Sequence, residues 1–214
     1  MGVAAKICGL STSDAVAAAV AGGAAYVGFV FYPPSPRAVT PERAARLCAG
    51  VPREIVRVGL FVDADDATIE AALATAPLDL LQFHGSETPE RVVEARLKFG
   101  RQVMKAVAIA EPPDVLAAAQ HEEAADWLLF DAKPPLSPDA LPGGNGLAFD
   151  WELIAGRSWR RPWMLSGGLT TALLADAVRI SGAAAVDVSS GVETRPGEKD
   201  PEKIRAFLAA ARAL

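Results

Sequence analysis

Eight short apolar runs recur at regular intervals along the chain, and no other feature narrows the fold as much. They cover residues 4–8, 25–31, 55–62, 78–84, 102–109, 127–131, 163–166 and 184–189. Rich in Val, Ile, Leu and Phe, they suit strands of a parallel sheet covered on both faces. The segments between them are amphipathic and alanine-rich, and several open on helix-start signals. These are Ser13 with Asp14, Pro41-Glu42 behind Thr40, Pro89-Glu90 behind Thr88, Pro112-Pro113-Asp114, and Pro201-Glu202 behind Asp200. The sixth interval differs. Residues 134–146 are rich in Pro and Gly and read as a loop, with a helix confined to 150–155. Strand and helix alternating eight times in 214 residues predict one (β/α)8 barrel, a single domain over residues 1–214. A doubly wound open sheet competes, but it would carry a Gly-rich loop after the first strand. Here Cys8-Gly9 runs into Leu10-Ser11-Thr12.

Composition excludes several function classes. Hydrophobic residues make up 51% and charged residues 22%, too apolar and too weakly charged for a disordered chain. The charge sum is 21 − 26 = −5 with no basic run, so no nucleic-acid partner is expected. Residues 15–31 carry no charge, but they fall short of the ~20 residues a bilayer needs. Gly22-Gly23 divides them into a helical half and a strand half, and no membrane segment is expected. Cys8 and Cys48 are too few for a disulfide scaffold or a four-thiolate zinc site, and read as reduced thiols of a cytoplasmic protein.

In such a barrel the chemistry lies at the C-terminal ends of the strands. Residues two apart in a strand share a face. At the end of the first strand, Lys6 and Cys8 share one. An ammonium beside the thiol favours the thiolate, a usable base or nucleophile; the alternative is a buried structural cysteine. Cys48 lies in an amphipathic segment and reads as core. Asp131 closes the apolar sixth strand, where a carboxylate is costly to bury without a purpose or a partner. It is either a general acid or half of a salt bridge to Lys133 or Lys105. The seventh strand ends in Ser166-Gly167-Gly168 and the eighth in Asp187-Val188-Ser189-Ser190-Gly191. Small residues there leave backbone N–H groups bare for a phosphate. The stretch Gly143-Gly144-Asn145-Gly146 adds further amides to that group, or is a linker. Gln82 and His84 share a face at the fourth strand. His84 reads as pocket lining or a structural hydrogen-bond partner, and no His, Asp or Glu spacing suits a metal. After the second strand, Pro33-Pro34-Ser35-Pro36 stiffens a loop over the mouth. Arg37 is placed there to grip a carboxylate in bidentate fashion, or else is a solvated charge.

Taken together, these residues resemble the phosphoribosylanthranilate isomerase family. The resemblance rests on Lys6-Ile7-Cys8-Gly9, Ser35-Pro36-Arg37, Leu60-Phe61-Val62, Gln82-Phe83-His84-Gly85, Gly143-Gly144-Asn145-Gly146 with Phe149-Asp150-Trp151, Ser166-Gly167-Gly168-Leu169, and the stretch from Asp187 to Glu193 with Pro196-Gly197 and Lys199-Asp200. The order is kept over nearly the whole chain. Departures are Phe83 where Leu is common, Ser166 where Ala is, Asn145 where Thr or Ser is, and no Asn near Leu173. They are expected to touch shape around the pocket and its phosphate end. The resemblance implies a cofactor-free Amadori rearrangement of N-(5-phospho-β-D-ribosyl)anthranilate, the third step from chorismate to tryptophan. It implies Asp131 as general acid, Cys8 as base, and Arg37 on the anthranilate carboxylate. Gly144, Gly146, Gly167, Gly168, Ser189, Ser190 and Gly191 would cradle the phosphate. Lys6, Gln82, His84 and Asp187 would contact the rest of the substrate. A monomer is expected, with a homodimer the alternative. The histidine-pathway isomerase would show half-repeats and carboxylates in both roles. A pentulose-phosphate epimerase would need metal-binding histidines, and a silent phosphate-binding barrel would lack Cys8 or Asp131.

Overall fold

The computed structural model describes residues 2–135 and 141–214. Eight parallel strands close into a barrel in chain order: β1 (Ala4–Cys8), β2 (Tyr26–Val30), β3 (Val56–Phe61), β4 (Leu80–Phe83), β5 (Gln102–Ile109), β6 (Trp127–Ala132), β7 (Trp163–Leu165) and β8 (Ala185–Val188). β1 pairs with β8 as well as β2, so that Lys6 lies opposite both Tyr26 and Asp187. The apolar runs extend a residue or two past several ladders. Burial continues into the loops after inter-strand pairing has stopped.

The crossovers are α1 (Ser13–Ala21), α2 (Pro41–Cys48), α3 (Asp66–Thr75), α4 (Pro89–Phe99), α5 (Pro112–Ala118), α6 (Leu174–Ser181) and α7 (Pro201–Ala213). Their starts follow the local signals. Thr12, Thr40, Thr88 and Asp200 accept hydrogen bonds from the backbone N–H of Ala15, Arg43, Arg91 and Glu202. The sixth crossover departs from expectation. In place of a helix at 150–155 there is one 3-10 turn, Trp151–Leu153, begun by Asp150 accepting from Glu152 N at 3.1 Å. Part of the expected loop, residues 136–140, lies outside the described residues. A small antiparallel hairpin, β9 (Glu193–Arg195) with β10 (Glu198–Lys199), was not expected, since elements this short carry no periodicity.

Alternation of side chains sorts the barrel into two apolar regions. Outward residues such as Ile7, Leu81, Phe83, Phe130 and Val186 join the helix faces in the main core. Inward residues Val58, Leu80, Met104, Leu129 and Met164 plug the N-terminal half of the barrel. The mouth carries only a small apolar ring of Cys8, Val30 and Leu60. Phe83 faces the helices and is fully buried, so this departure from the family pattern does not shape the pocket as expected. Phe83→Ala is predicted to cost roughly 3–5 kcal/mol, lowering Tm by roughly 6–20 °C, with KM unchanged. Thermal denaturation alongside steady-state kinetics checks both parts.

Candidate active site

Above the apolar plug, the inward positions turn polar in two tiers. The lower tier holds Lys6, Gln82 and Asp187, and the upper holds Cys8, His84 and Asp131. The period of two puts Lys6 beneath Cys8 on β1 and Gln82 on β4 beneath His84 just past it. The upper tier opens into a cavity at the C-terminal mouth, also lined by Arg37, Gly144, Gly146, Gly167, Gly168, Ser189 and Ser190. Lys6 and Gln82 are fully buried beneath the cavity and form no part of its lining.

Lys6 Nζ donates to Asp187 Oδ1 at 2.9 Å, and Ser166 Oγ donates to Asp187 Oδ2 at 3.3 Å. Burial works against the Lys6 charge, but Asp187 and the neighbouring Cys8 outweigh it and hold the ammonium above its ordinary pKa. For Cys8 the balance falls the other way. Burial is the largest influence and pushes the thiol up; Lys6 and Lys199 pull it down and Asp187 adds to the rise. Lys6 thus acts in the expected direction but does not win, and the resting group is a thiol, not the expected thiolate. Gly28 on β2 faces this pair. A Cβ there would lie 3.1 Å from Cys8 Sγ and 3.3 Å from Lys6 Cε, so the bare glycine leaves room for both.

Asp131 takes neither lysine suggested by the sequence. Lys105 pairs with Glu87 at 2.8 Å and Lys133 with Asp114 at 3.1 Å. Instead Asp131 Oδ1 accepts from Ala132 N at 2.9 Å, and Oδ2 lies 3.2 Å from His84 Nε2. Gln82 Nε2 lies 2.9 Å from His84 Nδ1. With Gln82 Nε2 donating to Nδ1 the ring proton sits on Nε2, facing Asp131; the Gln82 Oε1 atom is left without a partner among the described residues in that arrangement. Gly143 packs over this pair; a Cβ there would come within 2.6 Å of His84 Nε2 and 2.9 Å of Asp131 Oδ2.

Arg37 is neither solvated nor free. It is 5% exposed, and Glu193 takes its side-on edge, Nε to Oε1 at 2.8 Å and Nη2 to Oε2 at 2.9 Å. Nη2 also donates to Gly144 O at 3.2 Å. The bidentate edge expected to meet a ligand is therefore occupied by the protein's own carboxylate. Gly144 thus meets Arg37 through its carbonyl, and it also lines the cavity.

Those turns do line the cavity. Gly167 and Gly168 adopt φ of 87° and 60°. Among the described residues their N–H groups, and that of Ser190, hydrogen-bond to no protein acceptor. Gly146 approaches the turn, with its Cβ position 3.6 Å from Ser190 Oγ. Gly191 packs against the Leu169 carbonyl and stays out of the lining. Asn145 Nδ2 closes its own loop on Leu141 O at 2.8 Å. Ser166 lines the cavity, whereas Leu173 is surface-exposed. Glu193 and Lys199 were missed as functional residues, although both lie in stretches the sequence singled out. Charges that are buried together leave no local signature.

A model of the family described as N-(5'phosphoribosyl)anthranilate (PRA) isomerase matches residues 5–210. A protein of that name from Rhodospirillum centenum is 60% identical over 214 residues, covering 100% of each chain. Its counterpart in Paramagnetospirillum magneticum is 58% identical over 212 residues, covering 99% of this chain and 98% of its own. The crystal structure of phosphoribosyl anthranilate isomerase from Thermotoga maritima aligns with a TM-score of 0.88 at 36% identity, covering 99% of this chain and 100% of that one. A further structure, in complex with reduced 1-(o-carboxyphenylamino)-1-deoxyribulose 5-phosphate, aligns with a TM-score of 0.85 at 34% identity and the same coverage.

Because alkylation requires the thiolate, Cys8 is predicted to react with iodoacetamide at higher pH than a free cysteine of pKa about 8.5. Lys6→Met removes a lowering influence and shifts the midpoint higher still. Cys48, pushed up to about 11 by burial, is replaced by Ala so that one thiol is read. A Cys8 midpoint at or below that of free cysteine contradicts the balance described.

Proposed function

The chain belongs to the N-(5'-phosphoribosyl)anthranilate isomerase family, and from this premise we propose how its residues divide the work. The protein is an isomerase of tryptophan biosynthesis, converting N-(5-phospho-β-D-ribosyl)anthranilate into 1-(2-carboxyphenylamino)-1-deoxy-D-ribulose 5-phosphate. The observation that carries the assignment of roles is that Cys8 and Asp131, from β1 and β6, open into one cavity whose rim also holds Arg37 and bare backbone amides.

Asp131 gives a proton to the furanose oxygen. The C1′–O bond breaks with its electron pair on oxygen, and the anthranilate nitrogen supplies the pair for the C1′=N bond. That iminium acidifies C2′–H, and Cys8, which first gives up its own proton to solvent because it rests as a thiol, removes it as the thiolate, forming the C1′=C2′ enolamine. Ketonisation restores both groups: the 2′-hydroxyl proton passes to Asp131 and C1′ takes one from Cys8. Two protons leave the enzyme and two return, so no cofactor is needed. His84 N–H holds the Asp131 carboxylate in place between these steps. Arg37 meets the anthranilate carboxylate, and Gly167, Gly168, Ser189 and Ser190 meet the phosphate. Asp187, linked to Lys6 and Ser166 at the cavity floor, is positioned for the sugar hydroxyls. We read it as a one-domain cytoplasmic enzyme, a monomer or a homodimer, consistent with two free cysteines; no described helix is long and apolar enough to cross a membrane.

Cys8→Ser and Asp131→Asn are each predicted to lower kcat at least ~10²-fold, the low end for a general acid or base, with product affinity little changed. Loss of substrate fluorescence reports turnover directly, and near-normal rates in Cys8→Ser would remove Cys8 from this role.

The two ends of the substrate give a second test. Arg37→Ala should weaken the reduced product analogue by roughly ten- to hundred-fold, the worth of a charged hydrogen bond. It should leave a plain sugar phosphate nearly untouched. Gly168→Val should weaken both, because its side chain would be driven into the Leu147–Ala148 backbone 2.7 Å away and displace the amides. Titrating both variants with both ligands yields four affinities. Equal losses for the two ligands in Arg37→Ala would reverse the substrate in the mouth.

A further inference from the structure

Behind Arg37 lies a buried charge cluster that the reaction itself does not use. Glu193 is 8% exposed and Lys199 is 7% exposed. Glu193 accepts from Arg37 Nε and Nη2, and its Oε1 also accepts from Lys199 Nζ at 2.6 Å. Lys199 donates as well to Ser189 O at 3.0 Å and Ser189 Oγ at 3.1 Å. An ammonium has three N–H groups, and all three are engaged, so Lys199 has none to offer a ligand. Ser189 Oγ donates in turn to Cys8 O at 3.2 Å, tying the cluster to the end of β1. Arg37 has five N–H groups. Glu193 and Gly144 take the Nε and Nη2 donors, while Nη1 makes no hydrogen bond among the described residues.

Charge counting points the same way. Burial pushes the Glu193 carboxyl up, but Arg37 and Lys199 outweigh it and hold it below its usual range, so it is an anion at neutral pH. Burial pulls the Lys199 ammonium below its ordinary pKa against the opposing pull of Glu193; with Lys199 protonated, two cations share one carboxylate in a site with little water. The cluster carries one uncompensated positive charge, and burial makes that costly until a second anion arrives.

We propose that Glu193, backed by Lys199, is a positioning and specificity residue: it locks the side-on edge of Arg37, turns Nη1 toward the cavity, and sets the cluster to accept one ligand carboxylate. This rests on the reading that Arg37 meets the anthranilate carboxylate. The grip is then end-on through Nη1, and the ligand carboxylate competes with Gly144 O for the end of the guanidinium. A monoanionic aryl carboxylate completes the charge balance; an uncharged aryl amine does not.

The test is a double-mutant cycle read with two ligands, the reduced product analogue and a plain sugar phosphate. Glu193→Gln adds net positive charge, which by itself favours an anion, so the expected loss of about ten-fold or more for the analogue, with the sugar phosphate changing less than about two-fold, reports lost alignment of Arg37. Arg37→Ala/Glu193→Gln should lose no more than Arg37→Ala alone, because Glu193 acts only through Arg37. Glu193→Asp, which keeps the charge, should recover part of the loss. Lys199→Met, which leaves Arg37 and Glu193 as a neutral pair, should weaken the analogue selectively even if Glu193→Gln does not fold. Additive losses, parallel loss of both ligands, or unchanged analogue affinity in the Glu193 and Lys199 variants overturns the proposal. If Arg37→Ala itself leaves the analogue unaffected, the carboxylate reading fails and this inference falls with it; a loss confined to Arg37→Ala keeps the reading and removes only the inference.

Discussion

The ion pair between Lys6 and Asp187 sits where the barrel closes, β1 against β8, and the mouth is arranged around it. Both groups are inside the ring and almost fully buried. Removing one partner would strand a charge in the interior, a loss of roughly 3–5 kcal/mol in comparable buried pairs. The pair is therefore a poor device for stability alone. It is a strong device for position, because it spans the last strand junction directly beneath Cys8. Ser166 extends it to the end of β7. A parallel barrel can bring groups 181 residues apart into such contact only once the final strand has paired with the first.

The two sides of the mouth solve the problem of buried polarity differently. Asp131 is held by a hydrogen-bonded chain that runs from the Gln82 amide to His84 to its carboxyl group, with no lysine or arginine in it. Arg37 is held by ions, with Glu193 between two cations. The first arrangement suits a group that must change protonation during turnover. The second suits a group that must stay charged and stay put. Cys8 lies between them, and there burial exceeds its cationic neighbours, whereas Lys6 keeps its proton because its partners exceed burial.

The sixth crossover shows how function shapes the frame. Here the regular helix gives way to a glycine-rich stretch and a single 3-10 turn. Gly143 packs on the Asp131–His84 pair and Gly144 meets Arg37, while Gly146 approaches Ser190. A side chain at Gly143 would collide with the acid, and Gly144 adopts a positive φ of 74°. A loop in such close contact with the functional groups has little use for side chains of its own.

Local rules in the sequence were enough for the alternation of strands with helices, most helix starts and the shared faces of Lys6 with Cys8 and of Gln82 with His84. Each follows from a fixed period or from a cap a few residues away, so chain neighbours decide it. Which face turns inward is decided by closure of the barrel. The hairpin of β9 with β10 escaped because its strands are shorter than any periodic signal, and the sixth crossover, read as a loop with a helix over 150–155, keeps a single 3-10 turn there. What only the tertiary structure decided is whom each polar group meets. Arg37 finds Glu193 156 positions along the chain, Asp131 finds His84 rather than a lysine, and Cys8 remains a thiol despite Lys6. Coulomb and hydrogen-bond energies depend on separation in space and on exclusion of water, and neither exists until the strands have closed into a ring.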